Sequence, residues 1–228
     1  MSLFSPVQAV CPNCGRLDET ALVASVNADR RPDLRQDILD RKFQVLTCML
    51  CETAYRMPPS FTYMDLEHRQ WIVAEPPEVR EQWAEAEART KEVFEAGYGP
   101  GAPRAARELG AELKTRVVFG WPALREKLLA IDLGLDDVTL ELLKIAILRN
   151  VQKSPVADGH ELRLDGGDDT TLRFKWINIT SEATVAGLSV PREVYDDVAG
   201  DKAWDELRKE VSAGPFVDMD RLLIPEEA

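Results

Sequence analysis

Two Cys-x-x-Cys pairs constrain this chain more than any other part of its sequence. The first pair, Cys11 and Cys14, lies in the run Cys-Pro-Asn-Cys-Gly, and the second, Cys48 and Cys51, lies in the run Cys-Met-Leu-Cys. They are the only cysteines of the 228 residues, and 33 residues separate the two pairs. Paired thiolates at this spacing are typical of a zinc site in which each pair closes one turn of the chain onto the ion. We therefore predict that Cys11, Cys14, Cys48 and Cys51 bind a structural Zn²⁺ ion, with disulfides, iron or a lost site as the alternatives.

The number of thiolates indicates what such a metal could do. Four protein ligands complete the tetrahedral coordination of zinc, so no position stays open for water or a substrate. We expect the ion to stabilise the fold and not to hydrolyse a substrate. Because all four cysteines are used as ligands, none is left to serve as a catalytic nucleophile.

Charge and hydropathy limit the classes of partner. The first residues show neither the basic nor the apolar part of a secretory signal, and no apolar run reaches the roughly 18 residues of a membrane span. We therefore expect a cytoplasmic protein that enters no membrane, in a compartment where cysteines stay reduced. The net charge is −12, and residues 1–75 hold eight Lys or Arg against ten Asp or Glu. This balance disfavours nucleic acid, whose binders usually carry a positive surface.

Hydrophobic periodicity predicts an α+β protein in three parts: a zinc-ribbon-like β unit over residues 1–76, a helical segment over 77–152 and a small α+β unit over 153–228. In the first part we predict strands at 21–27 and 43–47, a helix over 32–40 and a hairpin from 61–64 and 70–73. In the second we predict helices over 79–94, 103–117, 122–131 and onward from a cap at Asp136. In the third we predict a hairpin from 161–164 and 171–177, a strand at 184–190, helices from Pro191 and over 204–211, and a return to the sheet at 216–219 and 222–224.

The two Cys-x-x-Cys turns differ in two respects. Gly15 follows the first pair, where a positive φ is often needed, but Glu52 stands at the matching place after the second. We therefore expect the second turn to be strained or differently shaped. Its tip carries Met49 and Leu50, which are apolar where such tips are usually polar. We predict that this pair packs on the protein's own helical segment, with a partner surface as the alternative.

Other polar candidates have structural interpretations that outweigh functional ones. His68 and His160 are the only histidines, and we expect both to be solvated side chains in or beside turns. Asp136 and Asp137 fit a helix cap better than an acid–base pair. The run at residues 166–169, Gly-Gly-Asp-Asp, fits a hairpin turn better than a cation site.

Aromatic side chains in the predicted hairpins suggest one further function. Tyr55, Tyr63 and Trp71, with Arg56 and Arg69 near them, could stack against the bases of a single strand. Aromatic residues of a hairpin lie more often in the core, and this is the interpretation we favour.

Several stretches resemble the CpXC domain family, a bacterial and archaeal group named for paired Cys-Pro-x-Cys motifs. The stretches that carry the resemblance are Cys11-Pro12-Asn13-Cys14-Gly15, Val26-Asn27, Phe43-Gln44-Val45-Leu46-Thr47-Cys48-Met49-Leu50-Cys51 and Tyr63-Met64-Asp65. It covers about residues 8–76, with weaker similarity at 120–128 and 135–137. Met49 and Glu52 depart from the family pattern, in which Pro and Gly stand at these positions. The resemblance implies a zinc-ribbon-like domain and brings no activity with it.

Together these features favour a non-enzymatic, zinc-binding scaffold or adaptor that recognises another protein or peptide, either at Met49 and Leu50 or by strand addition at a sheet edge. One alternative is a zinc ribbon that binds nucleic acid. Another is an enzyme whose site lies in the helical or C-terminal part, away from the closed metal. The sequence indicates no oligomeric state.

Overall fold

The computed structural model describes residues 2–150, 159–179 and 181–224, which form ten strands and seven α-helices. The strands are β1 (Leu3–Val10), β2 (Leu17–Asn27), β3 (Val45–Thr47), β4 (Ala54–Arg56), β5 (Phe61–Asp65), β6 (Gln70–Glu75), β7 (Lys114–Phe119), β8 (His160–Gly167), β9 (Thr171–Asn178) and β10 (Thr184–Pro191). The helices are α1 (Pro32–Leu39), α2 (Trp83–Tyr98), α3 (Arg104–Gly110), α4 (Trp121–Asp132), α5 (Asp137–Asn150), α6 (Arg192–Gly200) and α7 (Asp205–Val211). The protein is therefore α+β, as the sequence predicted.

The first sheet has five strands in the order β1-β2-β5-β6-β7. The pairs β1–β2 and β5–β6 are antiparallel, whereas β2–β5 and β6–β7 are parallel. β2 meets β5 only through Ser25, Val26 and Asn27. The rest of β2 pairs with β1 alone in this register, so the two strands continue beyond the sheet as a ribbon. β3 and β4 form a separate two-stranded hairpin.

The two faces of this sheet pack against different helices. Ile72, Ala74 and Val118 belong to a core cluster that also holds residues of α1 and α4. Val117 and Phe119 belong to a second cluster, which holds residues of α2. This alternation follows from the period of two in a strand, which points successive side chains to opposite faces. Both sets are buried because helices cover both faces of the central strands.

Strand β7 corrects one sequence prediction. We predicted a helix over 103–117, but α3 ends at Gly110 and residues 114–119 pair in parallel with β6. The run Thr115, Val117, Val118 and Phe119 is rich in β-branched and aromatic side chains, which favour a strand when a pairing edge is available. The pairing strand β6 lies about 40 residues earlier in the chain. The local helical periodicity therefore led to the prediction of a helix, because the sequence around 114–119 does not reveal this distant partner.

The second sheet is antiparallel, with the order β10-β9-β8. It packs with α5, α6 and α7 in the largest core cluster, which includes Leu143, Phe174 and Val211. The predicted turn between β8 and β9 is confirmed, since Asp168 accepts hydrogen bonds from the backbone N–H groups of Thr170 and Thr171. Within the described residues, no helix combines the length and the apolar character needed to cross a membrane.

The end of the described chain also differs from its prediction. Residues 216–224 do not return to a sheet. Instead Phe216 packs between the rings of Trp83 and Phe119, with centroid distances of 5.5 and 5.3 Å. A 3₁₀ turn follows over Met219–Leu222, and the Asp218 side chain caps it by accepting a hydrogen bond from the N–H of Asp220. A carboxylate cap of this kind favours a helical turn over a strand.

Elements of the predicted helical segment, 77–152, contribute to the cores of both sheets. β7 and α4, from the segment assigned to 77–152, belong to the first sheet and its core, while α5 belongs to the second core. The predicted boundary at 152–153 lies outside the described residues. The three-part division stays a prediction.

A buried ionic network joins the two cores around α4. It consists of seven charged side chains that are all nearly inaccessible to solvent: Glu126, Lys127, Glu141, Lys144, Glu161, Arg163 and Asp218. The ammonium group of Lys144 lies 2.9 Å from Glu126 and 2.7 Å from Glu141. The guanidinium group of Arg163 lies between 2.6 and 2.9 Å from Glu126, Glu161 and Asp218. Breaking a buried pair by removing one partner typically costs about 3–5 kcal/mol, so this network fixes how α4, α5 and β8 meet.

The network holds four carboxyl groups and three cations, an excess of one negative charge. Burial, together with the charges of Asp218 and Glu126, raises the pKa of Glu141 to about 7 despite the opposing effect of Lys144. Its Oε1 atom has no hydrogen-bond partner among the described residues. Its Oε2 atom accepts a hydrogen bond from the backbone N–H of Met219. The surroundings of Glu141 therefore favour the neutral form of its carboxyl group.

The raised pKa of Glu141 predicts a pH dependence of stability. A Glu that titrates near its usual value of 4.5 in the unfolded chain and near 7 in the folded protein favours folding below pH 4.5, and this contribution is lost as the pH rises to 7. We expect Glu141→Gln to reduce the fall in melting temperature between pH 5 and pH 8, measured by calorimetry. Asp220, whose pKa burial raises to about 6, contributes in the same direction but is present in both proteins. Glu112→Gln, at an exposed carboxyl group, is the control, and equal falls for wild type and Glu141→Gln would contradict the assignment.

Candidate metal centre

The four cysteines lie in two hairpin turns, each of which we call a knuckle. The first knuckle joins β1 to β2 and the second joins β3 to β4. In each, the N–H of the residue four positions after the first cysteine donates to that cysteine's carbonyl, at 2.9 Å for Gly15 and Cys11 and at 3.0 Å for Glu52 and Cys48. The predicted link between knuckles and strands is confirmed, and β1 and β4 are strands that sequence reasoning missed.

The two knuckles have the same backbone shape although their sequences differ. Gly15 has a φ of 73°, and Glu52 at the matching place has a φ of 57°. A left-handed conformation is easily adopted by Gly, but it brings the Cβ of any other L-residue close to its own carbonyl, at a cost of about 1–2 kcal/mol. The second turn is thus strained, as one of the two predicted possibilities stated, because Glu52 has a positive φ. It does not have a different shape from the first turn.

The sulfur atoms form one compact cluster. Cys11 Sγ lies 3.6 Å from Cys51 Sγ, and Cys14 Sγ lies 3.6 Å from Cys48 Sγ. All four sulfur atoms lie within 4.8 Å of one another, and none is in a disulfide. Zinc with four thiolates at about 2.3 Å requires sulfur atoms about 3.8 Å apart, at the corners of a tetrahedron. The geometry and the donor set therefore fit a metal ion of this size.

Hydrogen bonds around the cluster favour sulfur in its charged form. The N–H of Leu50 donates to Cys48 Sγ at 3.4 Å, as expected for a knuckle. The hydroxyl oxygen of Thr53 accepts a hydrogen bond from Asn13 Nδ2 at 3.1 Å and lies 3.3 Å from Cys51 Sγ, so its own hydrogen is free to point at the sulfur. The Thr53 hydroxyl, followed by the Asn13 side chain and the Thr53 backbone N–H, lowers the pKa of Cys51 to about 5. Asn13 and Thr53 are functional neighbours that the sequence analysis did not single out.

The pKa of the Cys14 thiol is shifted in the opposite direction. A hydrogen bond from the Arg16 backbone lowers the pKa of Cys14, but desolvation and the three neighbouring sulfur atoms raise it overall, to about 12. A thiolate is the form that binds a metal, and a divalent ion offsets the repulsion among four of them. Cys11 and Cys48 are buried, and Cys14 lies at the surface. The cluster thus has an inner side against the protein and an outer side toward solvent.

The tip of the second knuckle is exposed. Met49 is 79% and Leu50 is 64% accessible to solvent. The prediction that they pack on the protein's own helical segment is therefore wrong. Their side chains lie at the apex of a turn whose backbone faces the sulfur cluster, and this directs them away from the core.

Other sequence candidates occupy structural positions. Tyr63 and Trp71 are buried and Tyr55 is half-buried, so the favoured interpretation, that the hairpin aromatic residues belong to the core, is confirmed for Tyr63 and Trp71. His68 Nδ1 lies 2.9 Å from Asp65, which also accepts a hydrogen bond from the Tyr63 hydroxyl at 2.8 Å. His68 is thus a paired residue of the β5–β6 turn and not simply a solvated one.

Two further candidates are also accounted for. Asp136 caps α5 by accepting a hydrogen bond from the N–H of Thr139, so its predicted role is confirmed. Asp137 forms a bidentate pair with Arg116 and lies 3.1 Å from Lys127. His160 is half-buried on β8, away from the sulfur cluster in the sequence and in the sheets.

Comparison with known proteins places most of this structure in one family. The family model described as CpXC protein matches residues 9–144, more than half of the chain. The match extends past residue 76 through β7 and α4 into α5, which agrees with the contribution of β7 and α4 to the first sheet and its core. No curated protein and no solved structure matches the chain.

Loss of one thiolate should remove the metal. We expect Cys48→Ser to abolish zinc retention in native mass spectrometry and to lower the melting temperature, because structural zinc in small domains contributes roughly 10–16 kcal/mol of apparent binding energy. Cys11→Ser should behave in the same way. Met49→Ala, in the same turn but with an exposed side chain, should keep the metal. Full zinc retention and an unchanged melting curve in the serine variants would contradict this prediction.

The strain at Glu52 can be tested separately. We expect Glu52→Gly to stabilise the metal-loaded protein by about 0.5–1 kcal/mol, because Gly adopts the positive φ without a steric penalty. Glu52→Ala is the matched control, since it removes the carboxylate but retains Cβ. Chemical denaturation of the zinc-loaded proteins would measure both. A gain in the Ala variant equal to that in the Gly variant would assign the effect to charge and not to the backbone.

Proposed function

The chain belongs to the CpXC protein family, and from this premise we propose that it is a non-enzymatic, zinc-stabilised scaffold that recognises another protein or peptide through its second knuckle. The observation that supports this most directly is the exposure of Met49 and Leu50 at the apex of a turn that the metal would hold rigid.

Zinc is the metal we propose for the cysteine cluster. Four thiolates at tetrahedral spacing suit an ion that needs no redox chemistry and has no directional preference of its own. With Cys11, Cys14, Cys48 and Cys51 as ligands, the coordination is complete and the metal acts as a structural element. A cytoplasmic location forms part of this proposal, because reducing conditions keep the thiols available for the ion.

A rigid apolar apex is a suitable contact for a partner. Two side chains of this size bury apolar area worth about 1.5–3 kcal/mol each when they enter a pocket. The metal would fix the turn before binding, so little conformational entropy is lost on association. Val10 and Leu17, cross-strand neighbours at the base of the first knuckle, are exposed as well. Both knuckles therefore present apolar side chains near the metal centre.

Open sheet edges offer a second contact for the same kind of partner. β1 is an outer strand of the first sheet and β10 is an outer strand of the second. An extended peptide can add to such an edge through backbone hydrogen bonds, while side-chain contacts supply the specificity. For the partner we therefore propose an extended segment with apolar side chains, bound beside the β1–β2 ribbon and the apex of the second knuckle.

The proposal is tested by changing the apex without changing the metal. We expect the double variant Met49→Asp, Leu50→Asp to lose a specific partner in affinity capture from the native cell, followed by mass spectrometry. Val93→Asp, at an exposed apolar residue of α2, should keep that partner, and both variants should retain zinc. The purified partner should then bind wild type in a titration and bind the double variant at least about tenfold more weakly. Equal binding to the wild type and the double variant would exclude the apex as the interface.

A further inference from the structure

A small cavity with a strong positive charge lies where the predicted segments meet. Its volume, counted as the space open to the centres of water-sized groups, is about 20 Å³, and its walls come from α4, β8, β9 and the chain around the β3–β4 hairpin. The cations that line it are Arg41, Arg56, Arg125, Arg163 and Lys175. The carboxylates that line it are Asp165 and Glu182. The cavity is therefore positively charged, although the net charge of the whole chain is −12.

One carboxylate, that of Asp165, forms ion pairs with three of these cations. Asp165 lies 3.0 Å from Arg41 and 2.9 Å from Arg125 through its Oδ1 atom, and Lys175 contacts its Oδ2 atom at 2.5 Å. A single negative charge cannot neutralise three positive ones, so two positive charges remain in excess at this group. Arg163 adds no further excess, because it belongs to the buried ionic network and has its own carboxylate partners.

Arg56 lies in the cavity wall, and one of its N–H donors has no partner among the described residues. Its guanidinium carbon lies 3.9 Å from the centroid of the Trp121 ring, and its Nε donates to the carbonyl of Phe43 at 2.9 Å. Glu182 lies 3.5 Å from its Nη1 atom. The Nη2 atom is buried and has no hydrogen-bond partner among the described residues.

A second buried donor has the same property. The Nε atom of Arg163 also lacks a hydrogen-bond partner in the described part of the chain, although the side chain is almost fully buried. An unsatisfied buried donor costs about 1–3 kcal/mol, and more when it belongs to a charged group. Arg56 and Arg163 both line the cavity, so each contributes to its wall a side chain with one donor that the described residues leave unpaired.

The short distances between these cations also lower the pKa of two of them. Burial, and then the charge of Arg41, lower the pKa of Arg56 to about 10 even though Glu182 opposes the shift. Burial and Arg41 lower the pKa of Arg125 as well. A bound anion would reverse both effects, since it would offset the repulsion among these side chains.

From these observations we propose that the cavity binds a small dianion, the phosphate group of a low-molecular-weight ligand, through Arg41, Arg56, Arg125 and Lys175. The two charges of a phosphate match the excess of two around Asp165. Guanidinium groups present their N–H donors in a planar fork that matches the oxygens of phosphate. This site is separate from the cysteine cluster and from the apex of the second knuckle, and it would make the protein responsive to a ligand as well as to a partner.

Inorganic phosphate is the probe, and the full-length, zinc-loaded protein is titrated at constant ionic strength. We expect saturable binding in calorimetry and a higher melting temperature with phosphate than with chloride. Arg41→Gln and Lys175→Gln, at side chains that are partly exposed, should each weaken binding about tenfold. Arg173→Gln is the matched control, because Arg173 is exposed on the same strand as Lys175 and does not line the cavity. Acetate, a monoanion, should bind more weakly than phosphate.

A second measurement does not depend on how the variants fold. In NMR spectra of the wild-type protein, phosphate should shift the Nε–H signals of Arg56, Arg125 and Arg163 more than those of surface arginines such as Arg30 and Arg104. Absence of saturable binding up to about 50 mM phosphate, equal weakening by Arg173→Gln, or shifts confined to surface arginines would each overturn the proposal. Because zinc content and partner binding are measured independently, failure here leaves the proposed scaffold function standing.

Discussion

The arrangement of this protein depends on charges that are held away from water at α4. Glu126 accepts hydrogen bonds from Lys144, from Arg163 and from the backbone N–H of Leu164, while Lys127 donates to the carbonyl of Val217. These partners come from α5, from β8 and from the chain before the last 3₁₀ turn, so none of these parts can move without leaving a buried charge unpaired. The opposite face of α4 packs on the first sheet through Leu124 and Leu128. One helix therefore fixes the distance between the two cores.

The cysteine cluster has a more local effect. It ties the β1–β2 ribbon to the β3–β4 hairpin, and the sulfur atoms lie outside the three clusters of apolar side chains. The cysteine cluster and the apolar cores thus lie in different parts of the structure. Between them lies the cationic cavity, whose Arg56 follows the second knuckle closely and whose Arg163 belongs to the ionic network.

Features encoded by local sequence were predicted well. The Cys-x-x-Cys spacing identified the four clustered residues, and the caps and turns at Asp136 and Asp168 were assigned from two or three neighbouring residues. Features that depend on distant partners were not predicted. β7 becomes a strand because β6 offers an edge, and Glu141 and Lys144 stand in an apolar helix because Glu126 and Arg163 meet them there. A Glu and a Lys spaced i, i+3 among leucines were a signal that could have indicated the network. Met49 and Leu50 were misjudged because their apolar character was taken as evidence of burial.

The parallel pairing of β6 with β7 has a consequence for the order in which the chain acquires structure during its synthesis. All four sulfur ligands have been added once Cys51 is in place, whereas the first sheet lacks its last strand and its covering helix until Asp132. At about 5–20 residues per second, the interval is roughly 4–16 seconds. Over this period the two knuckles can close on a metal while β6 still has an open edge. Metal capture can therefore come first and leave the ribbon formed before the sheet is complete.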